Sequence, residues 1–135
     1  VERNGLWLAQ QCGADPAVVR LFAAFHDSQR HNDDEDPLHG SRAARYLDAM
    51  RIRVACLDEA RFGLLLEACA AHSEGERHSD PTIGACWDAD RLDLWRVGIE
   101  PDARYLSTQA ARELVRLDRA AQERSLSGAI PVRAA

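Results

Sequence analysis

Apolar residues recur every three or four positions along most of the chain, and this spacing constrains the fold more than any other feature. The clearest run comprises Val18, Leu21, Phe22 and Phe25. Such spacing places apolar side chains on one face of a helix, whereas a half-buried strand would show strict alternation. Alternating segments are nearly absent from the sequence. We therefore predict an all-α domain, a bundle of five or six helices.

Capping signals give the expected helix boundaries. Asp15 followed by Pro16 is a typical N-cap with proline in the first helical position, and Asp58 is a second candidate cap. Gly13 is expected to close the first helix. The predicted helices cover about 1–11, 16 to the His26-Asp27 pair, 40–50, 58–73, 85–97 and 108–126, with 81–84 as a turn. These helices form one domain, 1–126, and 127–135 is predicted to be a loose tail.

Composition favours a soluble, intracellular protein. Apolar residues make up 46% and charged residues 29% of the chain, and no apolar run approaches the roughly 20 residues that span a bilayer. A net charge of -5 argues against a DNA-binding surface. The arginine-rich last helix is a candidate homodimer surface. The four cysteines, Cys12, Cys56, Cys69 and Cys86, contain no C-x-x-C pair, which favours free buried thiols in a reducing cytoplasm.

Polar residues on apolar helix faces are the first indication of a functional site. His26, His72 and Asp90 each lie four residues after an apolar residue, and His39 stands at the head of a predicted helix. Burying charge is costly unless the group is paired or binds a metal. Facing helices of a bundle commonly supply the ligands of such a site.

Each of these residues also has a purely structural interpretation. A lone histidine on an apolar face is more often a hydrogen-bonded core residue, and the acidic run 33–36 is expected to be an exposed loop. Asp88, Asp90 and Asp93 could form a solvated face with Arg91 and Arg96. The joint occurrence of an adjacent His26-Asp27 pair and an inward Asp in DADRLDL favours a metal site.

These motifs resemble the HD superfamily of metal-dependent phosphohydrolases, all-α domains named after a His-Asp pair. His26-Asp27 matches the pair, and Asp90 matches the final Asp of the family, commonly set in an AD-R-L context. The stretch AHSEGERHSDPTIGACWDADRLDLWRVGI is similar to the branch with an HS, a DADRLDA stretch and a Gly-Ile, which includes nucleotide pyrophosphatases. The resemblance covers about 21–99.

The chain departs from the family pattern at two positions. The family places a first histidine on the helix before the pair, yet no histidine precedes His26. Because Val1 opens what reads as the middle of a helix, we expect this histidine upstream of it. Arg30 stands where many members have lysine, which keeps the charge and adds a planar fork suited to phosphate. Arg30-His31 also replaces the Glu-Asp of alarmone hydrolases, which disfavours an alarmone substrate.

The resemblance implies one or two divalent ions per chain. The implied metal ligands are His26, Asp27 and Asp90, with His39 and His72 as further candidates. This mixed nitrogen and oxygen set suits Mn, Fe, Ni, Zn or Mg. Such an ion polarises a phosphoryl oxygen and lowers the pKa of bound water.

Further residues are assigned to the chemistry itself. Asp27 is expected to orient the attacking water, Arg30 to neutralise developing charge, and His72 to act as general acid. The candidate phosphate-binding residues are Arg30, His39, Arg42 and His78.

The expected reaction is hydrolysis of a phosphoester or phosphoanhydride in a small phosphorylated molecule, preferably a nucleotide. Two alternatives stay open. Some HD-domain proteins use two additional histidines to hold two irons that activate dioxygen, and His39 and His72 occur in the right order for that role. The same ligand pattern also serves dinuclear phosphodiesterases of cyclic dinucleotides. The second alternative is a non-catalytic sensor that binds a metal or nucleotide on the same fold.

Overall fold

The computed structural model describes residues 1–51 and 56–128, and all of the regular secondary structure over this range is helical. Two short 3-10 helices, Asp93–Val97 and Ala103–Tyr105, lie between the last two α-helices. None of the described helices is both long enough and apolar enough to cross a membrane. The prediction of an all-α bundle of five or six helices is confirmed. The described residues form six α-helices: α1 Glu2–Cys12, α2 Pro16–Phe25, α3 His39–Ala49, α4 Glu59–Ala71, α5 Pro81–Leu92 and α6 Gln109–Gly128.

Aspartate caps begin three of these helices. Asp15, Asp58 and Asp80 accept hydrogen bonds from backbone N–H groups in the first turn of α2, α4 and α5, respectively. Pro16 and Pro81 occupy the first helical position of α2 and α5, where a missing N–H costs nothing. Each such cap contributes about 1 kcal/mol. The predicted caps Asp15 and Asp58 are confirmed.

Helix α5 begins four residues earlier than predicted and ends earlier as well. Residues 81–84, predicted as a turn, form its first turn because Asp80 caps it and Pro81 fits its first position. The helix ends at Leu92, and the chain continues as the 3-10 helix Asp93–Val97. Asp80-Pro81 is the same pair of N-cap and first-position proline as Asp15-Pro16 at the start of α2.

The core is organised around α2. This helix packs against α1, α4 and α5, while α3 packs mainly against α4. Val18, Val19 and Phe22 of α2 are fully buried, together with Leu65 of α4 and Ile83 of α5. Burial of each such side chain contributes about 1.5–3 kcal/mol. The packing places the C-terminal end of α2 where α4 and α5 can reach it.

Helix α6 is held to α5 through Asp88. Its fully buried carboxylate accepts the N–H of Ser107 at 2.7 Å and both the N–H and the hydroxyl of Thr108 at 2.7 Å. Burial raises the pKa of Asp88, and these hydrogen bonds oppose the rise. A solvated face is therefore wrong for Asp88. Helix α6 extends to Gly128, into the segment predicted as a loose tail, and 129–135 lie outside the described residues.

The cysteines only partly match the prediction. All four are free, as expected. Cys69 and Cys86 are buried, but Cys12 is only partly buried and Cys56 is exposed. Burial raises the pKa of the Cys69 thiol to about 12, so this sulfur stays protonated at neutral pH.

Candidate metal centre

Four helix ends meet at one cluster of histidines and aspartates. His26 caps the C-terminus of α2, His72 caps the C-terminus of α4, and Asp90 lies in the last turn of α5. His39 is the first residue of α3, and Asp27 follows His26 in the turn after α2. The structure thus brings together all five residues that the sequence interpretation named as metal ligands.

Asp27 stands between two groups of donor atoms. Its Oδ2 lies 3.3 Å from Nε2 of His26, which lies 3.3 Å from Oδ1 of Asp90. Its Oδ1 lies 3.1 Å from Nε2 of His39 and 3.3 Å from Nε2 of His72. We call His26, Asp27 and Asp90 the carboxylate triad, and Asp27, His39 and His72 the histidine triad. Ligand atoms within each triad lie within 4.8 Å of one another, a spacing that could hold an ion.

The three histidines are all fixed through Nδ1, which contacts a backbone carbonyl. The acceptors are Phe22 for His26 at 2.9 Å, Asp36 for His39 at 2.5 Å and Cys69 for His72 at 2.7 Å. A carbonyl oxygen can only accept, so Nδ1 carries the proton and Nε2 of the neutral ring presents a lone pair. Metal-binding histidines are commonly oriented in this way by a hydrogen bond at the other nitrogen.

The histidine triad contains a pair of nitrogens that requires a cation. Nε2 of His39 and Nε2 of His72 lie 2.8 Å apart, and both rings are buried. With Nδ1 as the donor of each ring, two lone pairs face one another at this distance. A shared proton or a metal ion between them removes the repulsion, and the nearby Asp27 carboxylate favours either cation.

The carboxylate triad also stabilises positive charge. Nε2 of His26 is buried and has no well-aligned hydrogen-bond partner among the described residues. Burial alone lowers the pKa of His26, but the contacts with the Asp27 and Asp90 carboxylates outweigh it and raise the pKa to about 10. The contact with His26, followed by that with His72, holds the pKa of Asp27 well below its usual range. A proton therefore occupies this position when no metal competes for it.

Helix direction adds to the same preference. The C-terminal ends of α2, α4 and α5 all face the cluster. A helix C-terminus carries a partial negative charge and favours a nearby cation by about 0.3–1 kcal/mol. The N-terminal end of α3, at His39, carries the opposite partial charge, so three ends that favour a cation face one that opposes it.

The cluster opens into a cleft of about 800 Å³. The three histidines are buried, whereas the side chain of Asp27 is 45% exposed. A ligand in the cleft would therefore meet the two triads from the side of Asp27. The lining residues are Asp27, Arg30, Asp34, Glu35, Asp36, Pro37, His39, His72, Ser73, Glu74, Asp90, Arg91 and Leu94.

The two arginines predicted to bind phosphate are engaged in holding the loop between α2 and α3. Arg30 lines the cleft, but its guanidinium donates to three backbone carbonyls at positions 32–34. Arg42 does not line the cleft; it donates to the carbonyl of Gln29 and to the carboxylate of Asp36. The donors of Arg42 are used within the protein, and phosphate binding by this residue stays a prediction.

His78 is not brought to the cluster. Its Nε2 lies 2.9 Å from a carboxylate oxygen of Glu67, and its Nδ1 accepts the N–H of Asp80 at 2.9 Å. The ring also packs edge-on against Trp87. These contacts tie the segment before α5 to α4, and they leave His78 outside the cleft lining.

The geometry distinguishes between the roles predicted for His39 and His72. His39 was predicted both as a candidate metal ligand and as a phosphate contact, and it joins the histidine triad. His72 was predicted as a general acid, but Nδ1 is bound to Cys69 and Nε2 faces His39 and Asp27. His72 lines the cleft, but both of its ring nitrogens contact neighbouring groups, and this position suits a metal ligand.

Sequence reasoning missed two groups that shape the centre. The carbonyls of Phe22, Asp36 and Cys69 orient the three rings, and no residue type could have revealed them because every residue has a carbonyl. Asp36 was assigned to an exposed acidic loop, yet its side chain is only 8% exposed and pairs with Arg42. The only indication of this ion pair in the sequence was the occurrence of opposite charges at positions 36 and 42.

A second cleft, of about 690 Å³, lies between residues 100–104 and α6 and contains no histidine. Arg104 pairs there with Asp102, and Arg119 pairs with Glu100. The predicted homodimer surface on α6 is untested by these contacts and stays a prediction.

The comparisons with known proteins give no assignment. No protein-family model matches this chain, and neither the curated proteins nor the solved structures contain a match. The resemblance to the HD superfamily therefore remains a prediction from the motifs.

Proposed function

We propose that this chain is a metal-dependent phosphohydrolase acting on a small phosphorylated molecule, preferably a nucleotide. The observation that carries the proposal is the 2.8 Å approach of two Nε2 atoms, of His39 and His72, beside the carboxylate of Asp27. Both imidazoles have the orientation of metal ligands, and a cation between them would remove the repulsion of their lone pairs. The reaction class, hydrolysis of a phosphoester or phosphoanhydride, is taken from the resemblance of the motifs to the HD superfamily.

The residues present fit one or two divalent ions. The histidine triad offers two nitrogens and one oxygen, and the carboxylate triad offers one nitrogen and two oxygens. Such mixed sets suit Mn, Fe, Ni, Zn or Mg. A bound ion would polarise a phosphoryl oxygen and supply a water that ionises near neutral pH.

Asp27 has the central chemical role in this proposal. Each of its two oxygens faces a different triad, and its side chain is half exposed to the cleft. The carboxylate can therefore bind in both triads while holding an attacking water on the open side. Arg30 maintains the adjacent loop, and its exposed position lets it contribute positive charge to the cleft.

The dimensions of the cleft are compatible with a nucleotide-sized ligand. Its volume of about 800 Å³ falls within the range of about 300–1,000 Å³ typical of small-molecule sites. Among the described residues that line the cleft there is no Phe, Tyr or Trp, so the cleft offers no large aromatic surface on which a base could stack. Recognition would depend more on the phosphate end of the substrate.

The test is a metal analysis followed by a substrate panel. Tag-free protein prepared without chelator should contain one or two ions per chain by mass spectrometry. The loaded protein should then release phosphate or a phosphorylated product from p-nitrophenyl phosphate, its bis ester, or nucleoside mono-, di- and triphosphates. Chelation should abolish the reaction. Asp27→Asn should abolish it as well, whereas Asp33→Asn, the same change in the exposed loop, should leave it intact. Metal binding without hydrolysis of any of these compounds would contradict the proposed reaction.

A second candidate is a di-iron oxygenase, favoured by one observation. A single carboxylate, Asp27, is shared by two triads, one of which is rich in histidine. Two irons per chain together with substrate-dependent oxygen consumption would support this candidate over the hydrolase.

A further inference from the structure

The first turn of α3 lies unusually close to the last turn of α4. A Cβ placed on Gly40 would lie 2.6 Å from the carbonyl oxygen of Cys69 and 2.8 Å from that of Ala70. It would also lie 3.2 Å from Nδ1 of His72. The first two neighbours are backbone atoms, which cannot move aside as the end of a flexible side chain can.

Backbone conformation does not explain a glycine at this position. Among the described residues, only Gly13, Gly75 and Gly98 have positive φ, so Gly40 adopts a conformation open to any residue. It lies within α3, where glycine is a poor helix former, about 1 kcal/mol less favourable than alanine in a helix interior. The close approach to α4 is the remaining physical reason for a residue without a side chain.

The carbonyl nearest to Gly40 also orients a ligand of the histidine triad. The oxygen of Cys69 accepts the Nδ1 proton of His72 at 2.7 Å. His39, the neighbour of Gly40 in sequence, supplies the Nε2 that faces His72. Gly40 therefore touches the group that holds one ring and is covalently joined to the residue that carries the other.

We infer that Gly40 is a positioning residue of the histidine triad, an inference that rests on the proposed metal-dependent function. A methyl group there forces α3 and α4 apart by several tenths of an ångström, since its 2.6 Å contact with the carbonyl of Cys69 lies below the 3.0 Å that real Cβ atoms keep. Metal sites tolerate deviations of only about 0.2 Å in ligand distance. The carboxylate triad draws its ligands from α2, α5 and the turn after α2, and is not touched by this change.

Two other glycines provide matched controls. Gly63 is an exposed residue of α4, and a Cβ there meets nothing within 4 Å. Gly5 of α1 is buried, and a Cβ there would lie 2.4 Å from Cγ1 of Val19, in the core. Gly63→Ala thus adds a methyl without a clash, and Gly5→Ala adds a clash that involves neither α3 nor α4.

The experiment measures metal stoichiometry by equilibrium dialysis against Zn²⁺ and, separately, Co²⁺, whose visible absorption reports on nitrogen ligation. Wild type and Gly63→Ala are expected to bind two ions, and Gly5→Ala to bind two with a lower melting temperature. Gly40→Ala is expected to keep one ion and to bind the other at least about ten-fold more weakly. Adding Asp90→Ala to Gly40→Ala should remove the remaining ion, whereas Asp90→Ala alone should leave one.

Wild-type affinity for both ions in a folded Gly40→Ala protein would overturn the inference. The substitution is also made in the Gly63→Ala background, where improved helix propensity offsets part of any loss of stability. A chain that fails to fold in both backgrounds while Gly5→Ala folds would also overturn it, by making Gly40 a requirement of the fold. Metal binding without hydrolysis would refute only the proposed reaction and leave the assignment of Gly40 intact.

Discussion

Nε2 of His26 and Oδ1 of Asp90 lie 3.3 Å apart, although α3 and α4 separate them in sequence. The contact joins the end of α2 to the last turn of α5 at the edge of the core. Asp27, directly after His26, then links this contact to the histidines of α3 and α4. One turn of the chain therefore connects ligands from four helices.

Asp27→Asn should abolish binding of both ions. The amide cannot provide two anionic oxygens to two triads, and it leaves His39 and His72 without the carboxylate that they face. Helical content should stay near that of wild type because the side chain is half exposed and caps no helix. Equilibrium dialysis would measure the number of bound ions and circular dichroism the helical content, with Asp33→Asn as the control. Retention of two ions would rule out Asp27 as the shared ligand.

The stability of the metal-free protein should fall as the pH rises from neutral to about 10. The pKa of His26 is raised from its ordinary value of 6.5 to about 10, so its protonated form stabilises the fold fully below about pH 6.5. That contribution disappears as the pH passes through about 10. We expect a loss of at least about 1 kcal/mol, equivalent to roughly 4 °C in melting temperature. His26→Ala should flatten this dependence, and an unchanged slope in that variant would contradict the assignment.

Metal binding should release protons near neutral pH. His26 is protonated in the metal-free protein, and only its neutral form can bind an ion. Affinity for Zn²⁺ should therefore increase between pH 6 and pH 8. Calorimetry in two buffers of different ionisation enthalpy would count the protons released. Equal heats in the two buffers would show that no proton is displaced.

Asp88→Ala should loosen α6 without removing metal. The substitution leaves the N–H groups of Ser107 and Thr108 and one hydroxyl without their acceptor. Unsatisfied buried groups of this kind cost about 1–3 kcal/mol each, and we expect a total loss of roughly 2–4 kcal/mol after relaxation. Urea unfolding would measure it, with the exposed Glu123→Ala on α6 as control. A loss below 1 kcal/mol would show that Asp88 does not anchor the helix.

Arg42→Ala should weaken the ion held by the histidine triad. Arg42 ties Gln29 and Asp36 together, and the carbonyl of Asp36 holds Nδ1 of His39. Loss of a group that orients a metal ligand costs about 10–100-fold in metal affinity. Arg45→Ala, an exposed position on the same helix, is the control. Equal metal affinities in the two variants would show that the contacts of Arg42 in the loop between α2 and α3 do not affect metal binding.

Local signals in the sequence were sufficient for the helices. Apolar spacing gave α2, and aspartate caps gave the starts of α2 and α4, because these interactions involve residues within one turn of each other. The same local logic identifies α5 once Asp80 is recognised as its cap. Periodicity indicated the inward positions of His26, His72 and Asp90. The resemblance to the HD superfamily added Asp27 and His39 to the predicted ligands.

The sequence alone determined the helical elements and the identity of the residues that converge at their ends. Only the tertiary structure decided which nitrogens face each other, which carbonyls orient them, and that His78 and Arg42 serve the scaffold. Those outcomes depend on how closely helices approach, as at Gly40 beside the end of α4. A separation of ångströms between elements distant in the chain arises from the packing of many side chains at once, and residue types at one position do not specify it.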